Sequence, residues 1–277
     1  MYKIKKFFSI CLMISSIFYF TGCAAKNEKI ISQKKIIPLE ILYKEAFKNF
    51  DQGKNQEALD LFLEVEKNFG YTKWAQKALL FRAFIYYENS KYIESLELLK
   101  NYKKLYQGSS DLIYAEYLTA ICLYEQINIA SKDQTTTYLA LDYFKRFLKN
   151  YPNSDYSDDL RLKLDLINTQ LAGKEMYVAR YYQKREKWLA ALRRLNEVLI
   201  KYETTVYAEE ALHRLVEIHY KIGNLDHAKK YASILGYNYN EGDWFKKSYT
   251  VITGKEFLNK NSINKKTFLQ QIKSLIF

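Results

Sequence analysis

The sequence predicts an all-α fold: a right-handed α-α superhelix of five stacked helix hairpins, closed by a C-terminal capping helix. Three observations predict it. Small residues recur in two sets, Ala46, Ala83, Ala120, Ala179 and Val216, then Ala58, Ser95, Ala140, Ala191 and Ala228. Members of a pair lie 12 apart in four of five units, and the first set steps by 37 residues three times. Small side chains let antiparallel helices cross closely, so each pair marks one hairpin, and a period of this size marks a helical solenoid. Second, two prolines and nine glycines in 277 residues suit long helices with short turns and argue against a sandwich or barrel. Third, apolar residues follow the small ones at helical spacing, as in Ala58, Leu59, Phe62, Val65 and Ala191, Leu192, Leu195, Val198.

In chain order, residues 1–22 form an export signal. Lys3, Lys5 and Lys6 precede a 14-residue apolar run, Phe7 to Phe20, which is short for a membrane span. The run ends in Phe20-Thr21-Gly22-Cys23, which resembles a bacterial lipoprotein cleavage site and makes Cys23 the lipid attachment point. The other reading is an ordinary signal peptide with an incidental cysteine. Ala24 after the cysteine follows the outer-membrane sorting pattern, facing the periplasm. Several acyl chains, each adding about 0.8 kcal/mol per buried CH₂, would hold the protein on a membrane. Once Cys11 leaves with the signal and Cys23 carries lipid, Cys122 stands alone, a small buried apolar residue with no disulfide partner.

Residues 23–37 read as a lipidated, Lys-rich tether, and Pro38 stands where a first helix can begin. The units fall at 39–70, 76–107, 112–152, 172–203 and 209–240, divided into an N-terminal half (38–152) and a C-terminal half (153–253). Turn residues Gly53-Lys54-Asn55 and Gly223-Asn224 separate helices. In the third unit the small residues are 20 apart, and a polar loop over Asn128 to Thr135 absorbs the excess. Between Ala140 and Ala179 the 14 extra residues amount to about four helical turns. They predict one helix of about 30 residues over Asp155 to Lys184, with Asn153 or Ser154 as N-cap and Asp155, Asp158 and Asp159 near its positive end. Asp243 to Thr253, with Trp244, Phe245, Tyr249, Val251 and Ile252, predicts the cap of the stack. Residues 254–277 form a tail with an amphipathic helix over Ser262 to Ile276.

The units resemble tetratricopeptide repeats: small residues hold the two close-contact positions, and Phe62, Leu99, Phe144 and Leu195 hold the bulky one four beyond the second. A more specific resemblance is to the BamD family of outer-membrane assembly lipoproteins. It is carried by LAGKEMYVARYYQKR (171–185), WLAALRRLNEVL (188–199), EALHRLVEIHY (210–220), LGYNY (235–239), Trp244, and Tyr151-Pro152-Asn153-Ser154. That resemblance implies a non-catalytic periplasmic scaffold of the β-barrel assembly machinery. Its partners would be the POTRA domains of a BamA-type barrel protein, other assembly lipoproteins, and unfolded outer-membrane proteins. BamA docking is implied at Arg194, with Arg193 and Trp188 in the same stretch; the other reading of Arg194 is a solvated helix-face arginine.

In such hairpins the first helix lines a concave groove. Its residues here would be Tyr43, Phe47 and Phe50 in the first unit and Leu80, Phe84 and Tyr87 in the second, an apolar surface suited to a segment with aromatic anchors. The other reading makes several of these aromatics core. Groove positions are expected to be distinct from those used for packing.

Catalysis is not expected. His213, His219 and His227 are spaced six and eight apart, unlike the i, i+4 pair of a helical zinc site. No nucleophile elbow, phosphate-binding glycine loop or cysteine pair occurs, and the carboxylates are expected on solvent faces, so no metal or cofactor is implied. The formal charge of +12 falls to +9 without the signal lysines. In an exported chain with scattered lysines it points to anionic lipid or an acidic partner and not to nucleic acid. The alternative function is another periplasmic repeat scaffold, one that organises cell-wall enzymes.

Overall fold

The computed structural model describes residues 38–255. The signal, Cys23, the tether and the 262–276 helix lie outside the described residues. Eleven helices and no strand occur among the described residues. They are α1 (Leu39–Asp51), α2 (Asn55–Asn68), α3 (Lys73–Glu88), α4 (Tyr92–Leu105), α5 (Leu112–Tyr124), α6 (Thr135–Asn150), α7 (Ser157–Lys184), α8 (Trp188–Lys201), α9 (Tyr207–Lys221), α10 (Leu225–Asn238) and α11 (Asp243–Thr253). Consecutive helices pair as five hairpins, and α11 packs across α9 and α10.

Every residue of both small-residue sets is buried to 1% exposure or less, and so are Phe62, Leu99, Phe144 and Leu195. One pair shows how the contact works. The Ser95 hydroxyl donates to the Ala83 carbonyl across the α3–α4 crossing at 2.8 Å, and the Cys122 thiol donates to Ser95 at 3.4 Å. Burial pushes that thiol up to about 11, so Cys122 stays neutral and unreactive.

Four hairpins turn identically. The N–H groups of Lys54, Lys91, Lys187 and Asn224 each donate to the carbonyl five residues back, at 2.9–3.0 Å. This C-terminal cap requires a left-handed residue just before the donor. Gly53 and Gly223 supply it in two hairpins, but Ser90 (φ 57°) and Glu186 (φ 56°) occupy it in the other two. Asn224 also caps α10, its side chain accepting from the His227 N–H.

The third hairpin differs. Its loop, residues 125–134, is fixed by Gln134, whose side-chain amide donates to the carbonyls of Ile129 (3.0 Å) and Lys132 (3.1 Å). From α7, Gln170 donates to the Asn128 carbonyl at 2.5 Å and Lys174 to that of Lys132 at 3.2 Å. The two insertions seen in the sequence, loop and long helix, therefore hold each other.

Helix α7 runs 28 residues, about 42 Å; it buries Leu160, Ile167 and Leu171 on one stripe and, further on, Ala172, Met176 and Ala179 on other sides where more helices surround it. Its start corrects the sequence expectation. Tyr156, not Asn153 or Ser154, is the N-cap residue and makes no side-chain cap. The Ser157 hydroxyl instead donates to the Tyr151 carbonyl (2.6 Å) and accepts from the Ser154 N–H (3.2 Å), closing the preceding turn. Asp158 and Asp159 do lie in the first turn. Gly173 brings α7 against α9: a Cβ there would meet the Tyr207 ring at 3.2 Å.

Carboxylates also depart from the solvent faces expected for them. Glu175 and Glu210 are each 8% exposed and held by arginines. Helical periodicity places them correctly on α7 and α9; only the neighbouring helix converts an outer face into an interior one.

Candidate functional site

Helices α1, α3 and α5 line a cavity of about 550 Å³. Tyr43 and Phe47 come from α1, Lys77, Leu80, Phe81 and Phe84 from α3, Asp111 and Tyr114 from the start of α5, and Tyr156 from the turn before α7. Four of the six expected groove residues thus meet there. Phe50 and Tyr87 lie outside the lining but touch it through Phe84, with ring centroids 6.1 and 6.3 Å away.

The rings form a continuous wall. Phe47 meets Phe81 edge-on at 4.5 Å, Tyr43 meets Phe47 at 5.0 Å and Trp74 at 4.8 Å, and Phe81 stacks on the fully buried Phe62 at 5.6 Å. Edge-to-face contacts of this kind contribute about 0.5–1.5 kcal/mol each and hold the rings in fixed orientation. Groove and packing roles therefore overlap, contrary to the expected separation. Leu80 is buried at 7% exposure, and Tyr43 and Phe47 press on Phe62 from one side while presenting the other to the cavity. A two-layered hairpin this thin has too few side chains to dedicate separate sets to each task.

Burial and the Asp111 carboxylate push the Tyr43 hydroxyl up to about 12, and burial beside Tyr156 does the same for Tyr114. Both phenols stay protonated at any physiological pH and can donate hydrogen bonds. The cavity is thus aromatic, neutral at its base, and flanked by one cation and one anion.

Phe81, Tyr114, Lys77, Asp111 and Tyr156 were not expected from the sequence. The repeat step that relates Phe84 to Phe47 does not find Tyr114: 37 residues before it stands Lys77, itself outside the expected set. Asp111 and Tyr156 lie in turns between repeats, where no period applies.

In the C-terminal half the three expected docking residues diverge. Trp188 opens α8 and packs against the core, with the Lys221 ammonium 5.5 Å above its ring. Arg194 pairs with Glu175 at 3.0 Å yet keeps 43% of its side chain exposed. Arg193 is exposed. At about 100° per residue, positions 188, 193 and 194 point to different sides of one helix. Exposed apolar residues gather instead at the neighbouring turns, with Leu189 83%, Leu225 48%, Tyr220 44% and Ile222 43% exposed.

Behind that face, α7, α9 and α11 are knit by charge. Arg180 grips Glu210 with two hydrogen bonds (3.0 and 2.5 Å), Arg214 bridges Glu210 (3.3 Å) and Glu217 (2.8 Å), and His213 reaches Glu217 (3.5 Å) and Ser248 (2.8 Å). Burial alone would raise the Glu217 carboxyl, but His213 and Arg214 outweigh it and hold it at about 2. His219 and His227, eight apart in sequence, stack at 5.1 Å, and burial with the neighbouring His227 lowers the His219 pKa. Among the described residues no group of three or more His, Cys, Asp or Glu could hold a metal ion, and no helix is long and apolar enough to cross a membrane.

Stacked helix hairpins with an aromatic cleft between them define a helical-repeat protein. The chain belongs to the YfiO family of outer-membrane lipoproteins, whose model matches residues 37–235. It is 37% identical over 231 residues to the outer membrane protein assembly factor BamD of Caulobacter vibrioides, covering 83% of this chain and 76% of that one. It is 34% identical over 250 residues to BamD of Rickettsia prowazekii, covering 90% and 98%. Among solved structures, the TPR domain of P58(IPK) aligns with 86% of this chain and 65% of its own at 14% identity and a TM-score of 0.40. At that likeness the repeat assignment rests on the chain's own helices and buried small residues.

Proposed function

We propose that this outer-membrane assembly factor is a non-catalytic, lipid-anchored scaffold on the periplasmic face, tethered through Cys23. Its N-terminal half engages unfolded outer-membrane proteins, and its C-terminal half docks the POTRA domains of a BamA-type partner. Other assembly lipoproteins join the same frame, with no cofactor, metal or nucleic acid. The observation that carries the reading is the aromatic cavity between α1, α3 and α5. A peptide with an aromatic anchor can bury its ring there, and full burial of such a ring contributes about 1.5–3 kcal/mol. The docking half is supported by Arg194, whose exposed side can take a partner carboxylate while Glu175 orients it, and by the apolar turns beside it.

The substrate arm is tested by titrating a peptide ending in Phe into the Phe84→Ala, Tyr87→Ala double variant. Affinity should fall about tenfold or more with helicity unchanged; unaltered affinity would refute the groove assignment. The docking arm is tested by pull-down from detergent-solubilised envelopes. A POTRA-bearing barrel protein should co-purify with the wild type and be depleted with Arg194→Glu. Recovery of cell-wall enzymes in its place would favour the alternative scaffold.

A further inference from the structure

The start of α1 and the turns between hairpins share one edge of the array. Antiparallel packing sets the first turns of α1 and α3 beside the last turns of α2 and α4. Two contacts show it: the Trp74 ring lies 4.8 Å from Tyr43, and Lys73 and Leu105 line one cavity. Resting on the Cys23 anchor proposed above, we propose that this edge seats directly on an anionic phospholipid surface. Tyr71, Trp74 and Leu105 enter the interface, and Lys67, Lys73 and Lys104 meet the headgroups.

Three observations converge on this. The first is exposed apolar surface. Tyr71 is 92% exposed and held in left-handed backbone (φ 64°), a costly conformation for a bulky residue and the kind of outlier that a function retains. Ile41, Trp74 and Leu105 are exposed on the same edge, whereas at the opposite ends of α1 to α4 Ile93 is the one large exposed apolar residue among the described residues. Tyr and Trp, with an apolar ring and a polar edge, suit the depth of lipid headgroups. The second is charge. Lys67, Lys73 and Lys104 are exposed, and among the described residues no carboxylate reaches ion-pair distance of them. The one exposed carboxylate at these helix ends among the described residues is Glu40. The third is where the chain enters. The 15 residues from Cys23 to Ile37 span at most about 50–54 Å and join at Pro38, so an acylated Cys23 holds this end of α1 near the headgroups. Lys26, Lys29, Lys34 and Lys35, against Glu28, give that stretch the same sign of charge.

That pattern fits a lipid surface better than a protein partner. Rings can reach the acyl boundary while lysine stems lie along it with their charge among the phosphates. A protein interface over the same edge would have to desolvate three ammonium groups or match each with a fixed carboxylate. Mobile anionic headgroups match them in any arrangement, and each lysine near such a surface strengthens attachment about fivefold.

The experiment uses the full-length acylated protein in vesicles of phosphatidylethanolamine and phosphatidylglycerol, with or without lipids brominated near the headgroup end of the acyl chains. In a variant that keeps Trp74 alone (Trp188→Phe, Trp244→Phe), bromine should cut tryptophan emission about twofold, as expected for a ring about 5–10 Å into the headgroup boundary. A variant that keeps Trp188 alone, at the opposite edge where α8 begins, should hold its emission. Lys67→Gln, Lys73→Gln and Lys104→Gln together should remove the quenching of Trp74. All three lysines are exposed, so folding stays intact, which circular dichroism verifies. Should the variants with one tryptophan lose helicity, Trp74→Phe alone gives the same reading, because the quenched part of the wild-type emission should vanish with it. Protein that floats with the vesicles while Trp74 stays unquenched would overturn the seating and leave the anchor in place. Equal quenching of Trp188 would overturn the choice of edge, and quenching that survives the triple substitution would overturn the role of the lysines. Protein that does not float would remove the anchor reading and this one with it.

Discussion

The two halves of the array use one hairpin design and both pack apolar cores, but each adds its own kind of contact to that core. In the N-terminal half, α1 to α3 add rings: Tyr43, Phe47, Phe62, Phe81 and Trp74 form a chain of contacts between 4.5 and 5.6 Å. In the C-terminal half, α7, α9 and α11 add to their shared apolar core a polar network of Arg180, Glu210, Arg214, Glu217, His213 and Ser248. Aromatic walls leave an apolar cleft wherever the rings stop. The proposed division of labour follows the same line, with the ligand taken inside the ring-lined half and the partner met on the outer surface of the other.

Removing one carboxylate from each half should give the largest contrast. Glu66→Ala removes the one carboxylate partner of Arg82 among the described residues, 2.8 Å away on a side chain only 13% exposed. It should cost about 3 kcal/mol in urea unfolding, because the N-terminal pair has no second carboxylate to take over. Glu210→Ala leaves Arg180 without its carboxylate but Arg214 still paired with Glu217, and should cost about 1–2 kcal/mol, since both arginines reach water. Equal losses would erase the distinction between the halves.

Acid should separate them next. Glu217 has its folded pKa held at about 2, below the unfolded value, so its contribution is complete above about pH 4.5 and disappears as pH falls toward 2. The His219 pKa is also lowered, so the neutral ring favours folding above about pH 6.5 and that contribution falls as pH drops. Glu66 has the opposite sign: burial raises its pKa despite Arg82, so the folded form binds its proton more readily and acid favours it. In repeat arrays neighbouring units can unfold separately. Fluorescence from Trp244 should then report a transition at higher pH than fluorescence from Trp74, measured in variants that retain one tryptophan each. Coincident transitions would show that the halves unfold as a unit.

The smallest effect should be common to both halves. Ser90→Gly and Glu186→Gly relieve left-handed strain at equivalent turns, and each should add about 0.5–1 kcal/mol to thermal stability after the entropic cost of glycine. A loss at either site would mean that the native side chain makes a compensating contact.

Much of this architecture was legible because it is periodic. Ala83 and Ser95 announce a close crossing, and the 14 extra residues before Ala179 announce whole turns of helix, since only an integral number of turns keeps the next hairpin facing its neighbour. The groove was legible in part for the same reason: Phe47 and Phe84 are one repeat apart and line one cavity. The start of α7 was misread because Asn153 and Ser154 are good capping residues by type, whereas the turn closes through Ser157 and the Tyr151 carbonyl.

By itself the sequence determined the hairpins, their number and the small residues at each crossing, because helix geometry is local and repeats every 3.6 residues. The tertiary structure decided which residues of distant repeats share a wall. It set Asp111 and Tyr156 against Lys77 and Phe84, buried Glu210 between two arginines, and stacked His219 on His227. Those juxtapositions depend on how each hairpin rotates upon the last, and that angle is fixed by side-chain volumes across the interface and not by any period in one strand of text.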